Sequence, residues 1–455
     1  MAKLNHKPQS VQTHQGAKAK HINAEQQLRR SVMSCLLWEK EFYESGESIA
    51  DRILALVPQV SPVKVSQIAI EAREKHNLRH VPLLLAACMA KEFRGHTIVS
   101  ETIERVIQRA DELTEILSIH CHINGVPTNN VKSVLSSQMK KGVARAFQKF
   151  DEYHLAKYDR PTEIKLRDAL FLTHAKPKDK KQSLVFKRLV DGKLKTPDTW
   201  EVALSTGGDK KTEFERLLSE GKLGYMALLR NLRNMEQAGV NPDLIKSAII
   251  ERKGANRVLP FRFTAAARHT PRFERELDEA MCHVIDSGEK LSGTTLVLVD
   301  VSASMVHPLS VKSELSRMDA AATLASMVNG DVRIFTFSAG NIRYWGDVWD
   351  GKPVTKEVPP RKGMACIDAI RTSQYRGGTL LGQAVKEMNA LPHDRLIVLT
   401  DEQSGDPVPD PVAENAYMIN VASSRNGVGY GKWKHIDGFS ESVLKYIQEI
   451  ETVID

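Results

Sequence analysis

The chain has 455 residues, 42% hydrophobic and 26% charged, ordinary proportions for globular protein and enough length for two domains. The longest dense apolar run, residues 81–90, is too short to span a bilayer, which takes roughly 20 residues. Net charge is +8, but residues 291–455 carry 16 Lys+Arg against 20 Asp+Glu, so residues 1–290 carry 48 against 36. A basic body of that kind points to nucleic acid, an anionic surface or an acidic protein partner.

Residues 1–23 are polar and basic with no apolar stretch, unlike a secretory leader, and are expected to form a flexible tail. Residues 24–287 read as successive amphipathic helices with short breaks. The expected helices are 24–44, 48–57, 63–75, 81–93, 97–122, 128–153, 162–175, 198–206, 209–220, 225–238, 241–251 and 271–285. Asn241 before Pro242 is a good cap, and Gly239 follows the helix before it. Many helices of this length predict an α-solenoid of degenerate helix pairs. Five scattered cysteines without a CxxC pair fit a reducing, cytoplasmic compartment. His120-Cys121-His122 has no second ligand pair and reads as helix packing.

After residue 288 the pattern alternates strand and helix, which predicts a doubly wound α/β sheet. Strands are expected at 294–299, 332–337, 396–400 and 416–421, with helices at 317–328, 363–372, 380–391 and 441–451. A Trp- and Asp-rich hairpin is expected at 342–349. The run Leu296-Val297-Leu298-Val299 is apolar throughout, as a strand covered on both faces requires. It ends in Asp300-Val301-Ser302-Ala303-Ser304. Thr379 follows Gly377-Gly378, and Asp401 ends another apolar strand. Asp300, Ser302, Ser304, Thr379 and Asp401 offer two carboxylates and three hydroxyls to one point. That set suits a hard divalent cation, Mg²⁺ before zinc, which would call for His or Cys.

The order DxSxS, Thr, Asp resembles the metal-ion-dependent adhesion site of von Willebrand factor A-type domains. Ala303 stands where related loops often have Gly. In that family the open metal position takes an acidic ligand from a partner protein.

Two upstream stretches carry a second resemblance. One is Lys157-Tyr158-Asp159-Arg160-Pro161-Thr162-Glu163-Ile164-Lys165-Leu166-Arg167-Asp168-Ala169-Leu170-Phe171-Leu172-Thr173-His174-Ala175-Lys176-Pro177. Thr162 is expected to cap its helix, with His174 and Lys176 in the last turn. The other runs through Trp200-Glu201-Val202-Ala203-Leu204, Gly207-Gly208-Asp209-Lys210-Lys211, Gly221-Lys222-Leu223-Gly224 and Arg230-Asn231-Leu232-Arg233. Together they resemble the TROVE module of the Ro family, bacterial or phage type, from about residue 24 to the C-terminus.

That resemblance implies HEAT-like repeats over 24–287 bent into a ring, with an A-type domain at 288–455. It also implies a non-catalytic protein that binds small non-coding Y-like RNA outside and single-stranded ends of misfolded RNA in a central hole. Lys157 and His174 carry over directly from the family's outer-surface contacts. Pro161 stands where the family has a basic residue, with Arg160 beside it. Lys165, Arg167 and Lys176 gather near the same end of the helix, and Arg230 and Arg233 are candidates for the interior. The implied partners are RNA and a ribonuclease or RNA repair enzyme, with the chain a monomer inside a ribonucleoprotein and no membrane. Two other functions compete. One is an adaptor that holds an acidic protein at the metal loop. The other is a metal-dependent nuclease, for which Glu402 is the one adjacent candidate base.

Overall fold

The computed structural model describes residues 23–33, 46–76, 78–205, 208–258, 260–288, 290–309, 315–339, 352–422, 427–437, 443–444, 447 and 451. The tail at 1–22, the hairpin expected at 342–349 and most of the helix expected at 441–451 lie outside them. The described residues divide into two compact units, one of residues 23–33 and 46–202, the other of those from 203 onward.

The first unit is helical. Its elements are α1 (Ala24–Met33), α2 (Gly46–Leu56), α3 (Pro62–Glu74), α4 (His80–Glu92), α5 (Thr97–Val106), α6 (Glu112–Ile123), α7 (Ser137–Phe147), α8 (Glu152–Tyr158), α9 (Leu166–Thr173) and α10 (Lys180–Val190). α11 (Trp200–Ser205) follows at the division. One continuous apolar core runs from Leu28 to Leu189 through α4, which is buried over most of its length. Phe147 on α7 and Phe186 on α10 meet edge to face at 5.9 Å.

Two long helices expected from periodicity are broken, and caps are the reason. In place of one helix over 97–122, Ile107 turns extended after α5. Buried Glu112 then accepts the N–H groups of Gln108 (2.8 Å) and Arg109 (3.0 Å), together with the guanidinium of Arg73 (2.7 Å). A carboxylate satisfying orphan amides at a helix start stabilises a new helix over a continued one. In place of one helix over 128–153, Ser136 caps α7 through Met139 N–H, and Asp151 caps α8 through His154 N–H. α10 was not expected from the sequence. Its start is set by Asp179, whose side chain accepts from Gln182 N–H at 2.7 Å.

The second unit joins α12 (Lys210–Ser219), α13 (Tyr225–Gln237), α14 (Pro242–Glu251), α15 (Pro260–His269) and α16 (Glu274–Asp286) to a sheet. The sheet order is β3-β2-β1-β4-β5-β6, with β1 (Leu291–Asp300), β2 (Gly330–Phe337), β3 (Thr355–Glu357), β4 (Arg395–Thr400), β5 (Asn415–Asn420) and β6 (Lys434–Asp437). All neighbours are parallel except β3, which runs antiparallel to β2. β3 and β6 are short and polar, so neither shows the apolar run of a central strand. Helices α17 (Arg317–Met327), α18 (Gly363–Arg371) and α19 (Leu381–Asn389) complete the α/β region.

Apolar clusters pack on the two faces of the sheet. Val297, Val299, Ile397 and Leu399 share one, and Leu296, Leu298, Leu396 and Val398 the other. Each such side chain taken out of water contributes about 1.5–3 kcal/mol. The sheet order places β1 between β2 and β4, so the ends of β1 and β4 open side by side.

Candidate functional site

Ligands of open α/β sheets bind beyond the carboxyl ends of the strands, and the three expected segments meet there. Asp300 ends β1 and Asp401 follows β4; both are fully buried. Ser302 and Thr379 are buried and Ser304 is half-buried. Backbone hydrogen bonds hold the segments together. Ala303 N–H donates to Gly377 O (3.0 Å), Ala339 N–H to Gly378 O (2.7 Å) and Gly405 N–H to Thr379 O (2.8 Å). Asp300 accepts from Ser302 N–H (2.9 Å) and from the Thr400 hydroxyl (2.7 Å), which fixes both of its oxygens. The Ser302 and Ser304 hydroxyl oxygens lie 3.3 Å apart.

Burial pushes the Asp300 carboxyl above the usual carboxylate range, and the neighbouring Asp401 charge adds to the rise. Two buried carboxylates side by side call for a cation. Arg317, itself buried, places its guanidinium 3.7 Å from Asp401. All donors in the set are hard oxygens, so the residues fit a small divalent cation. Among the described residues no group of three or more His, Cys, Asp or Glu is placed to hold a metal ion, so a cation here would need the hydroxyls as well as the two carboxylates.

Gly378 is not where the chain is tight, since a Cβ there would sit 3.6 Å from Ala339. The close approach is at Gly382, where a Cβ would meet Pro407 O at 2.1 Å. Ala303 is exposed with its backbone outside the left-handed region, so its methyl is accommodated. Glu402 is buried at φ 59, an uncommon backbone for a residue with a Cβ. Its carboxylate pairs with His435, which stacks on Tyr430 at 4.2 Å. That pairing engages the one candidate base of the nuclease reading, and the sequence carried no signal for it, because His435 stands 33 residues away on β6.

The six basic candidates of the other site lie on α8, α9 and the turns around them. Thr162 does not cap α9. The helix starts at Leu166, where Asp168 accepts from Lys165 N–H (3.2 Å), while Thr162 donates its hydroxyl to Ile164 O (2.8 Å). Glu163 instead accepts from the Thr128 hydroxyl at 2.8 Å. His174 is the left-handed C-cap of α9 at φ 55, exposed, and Lys176 stands beyond the helix. Lys157 Nζ lies 3.8 Å from Glu201, and Arg167 Nε lies 3.5 Å from Asp168. Arg160, Lys165 and Lys176 are exposed and have no ion pair among the described residues.

Arg230 and Arg233 belong to the other unit, exposed on α13. Sequence reading missed Arg262 on α15, a neighbour of Arg230. Burial lowers its pKa, and the Arg230 charge lowers it further. Its guanidinium lies 4.9 Å from the Phe261 ring centroid. Neither arginine has a carboxylate partner among the described residues. Phe261-Arg262-Phe263 is the local pattern that could have drawn attention to it.

Residues 182–315 match the TROVE domain family. That segment includes Arg230, Arg233, Asp300, Ser302 and Ser304 and leaves out Lys157 to Lys176. Telomerase protein component 1 of Mus musculus is 37% identical over 90 residues, 19% of this chain, and the same protein of Rattus norvegicus matches equally. The match spans about 3% of the length of those relatives. The crystal structure of the Ro protein of Deinococcus radiodurans superposes with a TM-score of 0.59 at 18% identity, covering 93% of this chain and 98% of that one. Residues 182–315 thus carry the match to the TROVE domain, and the chain as a whole shares the fold of a Ro protein, a helical body followed by an A-type α/β region.

Proposed function

We propose that the chain is a non-catalytic RNA-binding protein, a reading that the TROVE domain match over residues 182–315 supports. The observation that carries it is that Arg160, Lys165 and Lys176 are exposed without an ion pair among the described residues, in the same stretch as Lys157, Arg167 and His174. Lys and Arg held away from carboxylates meet phosphates without base selectivity. The RNA it holds there is a small structured Y-like RNA. Arg230, Arg233 and Arg262 take single-stranded ends of misfolded RNA, with Arg planes for stacking. The role is RNA quality control, in concert with a ribonuclease or repair enzyme in the cytoplasm.

A divalent cation held by Asp300, Ser302, Ser304, Thr379 and Asp401 would supply an open coordination position for a partner's carboxylate. The chain's own part is to hold two carboxylates together beside Arg317, a placement that favours partner recognition over hydrolysis. Sequencing of RNA that co-purifies with the tagged protein tests the main reading. Small structured RNAs are expected; recovery of protein partners alone would favour the adaptor.

A further inference from the structure

A cavity of about 680 Å³ opens in the helical unit between the start of α8, the N-terminal half of α10 and the segment 195–198. It lies within the range of small-molecule sites, about 300–1,000 Å³. Its charged walls are not equivalent. Asp151 accepts from His154 N–H (2.9 Å) and Nδ1 (2.7 Å), Asp179 from Gln182 N–H, and Glu152 from Arg188 (2.7 Å) and Lys195 N–H (3.2 Å). Lys149 is also engaged, donating to the Ile107 carbonyl at 3.0 Å. These groups hold helix starts and chain crossings.

Lys178, Lys181 and Lys195 line the same cavity, are exposed and have no ion pair among the described residues. Beside them Tyr153 is 46% exposed, with His154 edge-on at 5.6 Å. Phe150, Val185 and Pro197 add apolar wall. Three ammonium groups at one cavity suit a phosphate, and an accessible tyrosine ring over an apolar wall suits a planar base. A protein partner's acidic loop would use the lysines but leave the aromatic and apolar wall without a role.

We propose that this cavity binds one nucleotide, with its phosphate on Lys178, Lys181 and Lys195 and its base on Tyr153, and that its source is the terminal nucleotide of an RNA strand. The proposal deepens the RNA reading and rests on it for the source of the nucleotide, while the cavity's chemistry is independent of Lys157 to His174.

The test uses the full-length protein and two probes, a 5′-phosphorylated single-stranded oligonucleotide of ten uridines and free UMP. Tyr153→Ala and Lys178→Glu/Lys181→Glu are compared with wild type by anisotropy and calorimetry, each variant first shown to keep the wild-type unfolding midpoint. Each is expected to weaken the oligonucleotide about tenfold, the scale of one lost base stack or two phosphate contacts. A stable hairpin without single-stranded ends should change less than about twofold, since it has no free nucleotide to insert. If both variants bind the oligonucleotide as wild type does, the proposal is overturned. If wild type binds no RNA, the general function has failed, and UMP decides the cavity alone. UMP binding lost in Tyr153→Ala then supports a free mononucleotide site, and no UMP binding overturns it.

Discussion

The sheet edge and the α8–α9 surface use charge in opposite ways. Asp300 and Asp401 are buried, and their loops are each tied by a backbone bond to the loop that carries Thr379. Arg160, Lys165 and Lys176 are exposed on long flexible stems. A buried oxygen cage selects by size and geometry and tolerates no displacement. An exposed cationic surface selects by charge and shape and tolerates many small changes. The first kind of site fits one ion, and the second an extended polyanion.

The largest expected effect tests whether the two units are separate in energy. Phe147 is fully buried, so Phe147→Ala should cost the helical unit about 3–5 kcal/mol. Hydrogen exchange should then speed up in residues 46–202 while β1 and β4 stay protected. Simultaneous loss in both would break the comparison. A pH dependence of similar origin comes next. Burial would raise Glu71, but hydrogen bonds and charges from His76 and Arg29 outweigh it and hold the carboxyl down to about 2. A depressed acid contributes stability above its unfolded value of 4.5 and loses it as pH falls toward 2. The loss should approach about 3 kcal/mol. Urea midpoints between pH 5 and 3 should fall for wild type and less for Glu71→Gln.

Smaller effects sharpen the contrast between the sites themselves. Asp300→Asn should weaken Mn²⁺ binding at least about tenfold by calorimetry, because it removes a fixed anionic ligand, while RNA affinity stays unchanged. Equal metal binding in variant and wild type would place the ion elsewhere. Arg167→Ala removes an exposed pair with Asp168 and should shift stability by less than about 0.5 kcal/mol.

The sheet site was legible because its chemistry is local to strand ends. An apolar strand ending in Asp300, and another ending before Asp401, place both carboxylates at one edge once the strands are parallel. The central strands followed from their apolar runs. β3 and β6 did not, since a short polar strand is specified by the neighbour it pairs with. On the helical side, periodicity found most helices but ran through breaks. Ser136, Asp151 and Glu112 each interrupt an apolar pattern by capping, and a cap inside a long periodic run looks like any other polar residue. The basic stretch 157–176 was visible as charge. The cavity beside Tyr153 depends on packing between α8, α10 and residue 195, which spacing does not encode. Arg262 was missed for the same reason: α15 was not expected, so its proximity to Arg230 could not be inferred.

The central claim is that the helical surface at α8–α9 holds RNA through its free cations. The most direct test is the affinity for a small structured RNA from 50 to 200 mM salt, for wild type and for Lys157→Glu/Arg160→Glu/Lys165→Glu/Lys176→Glu. Wild-type affinity should fall steeply on a log–log plot, and the variant should lose at least about tenfold with a slope shallower by several contacts. Equal affinity and equal slope for both proteins would contradict the account.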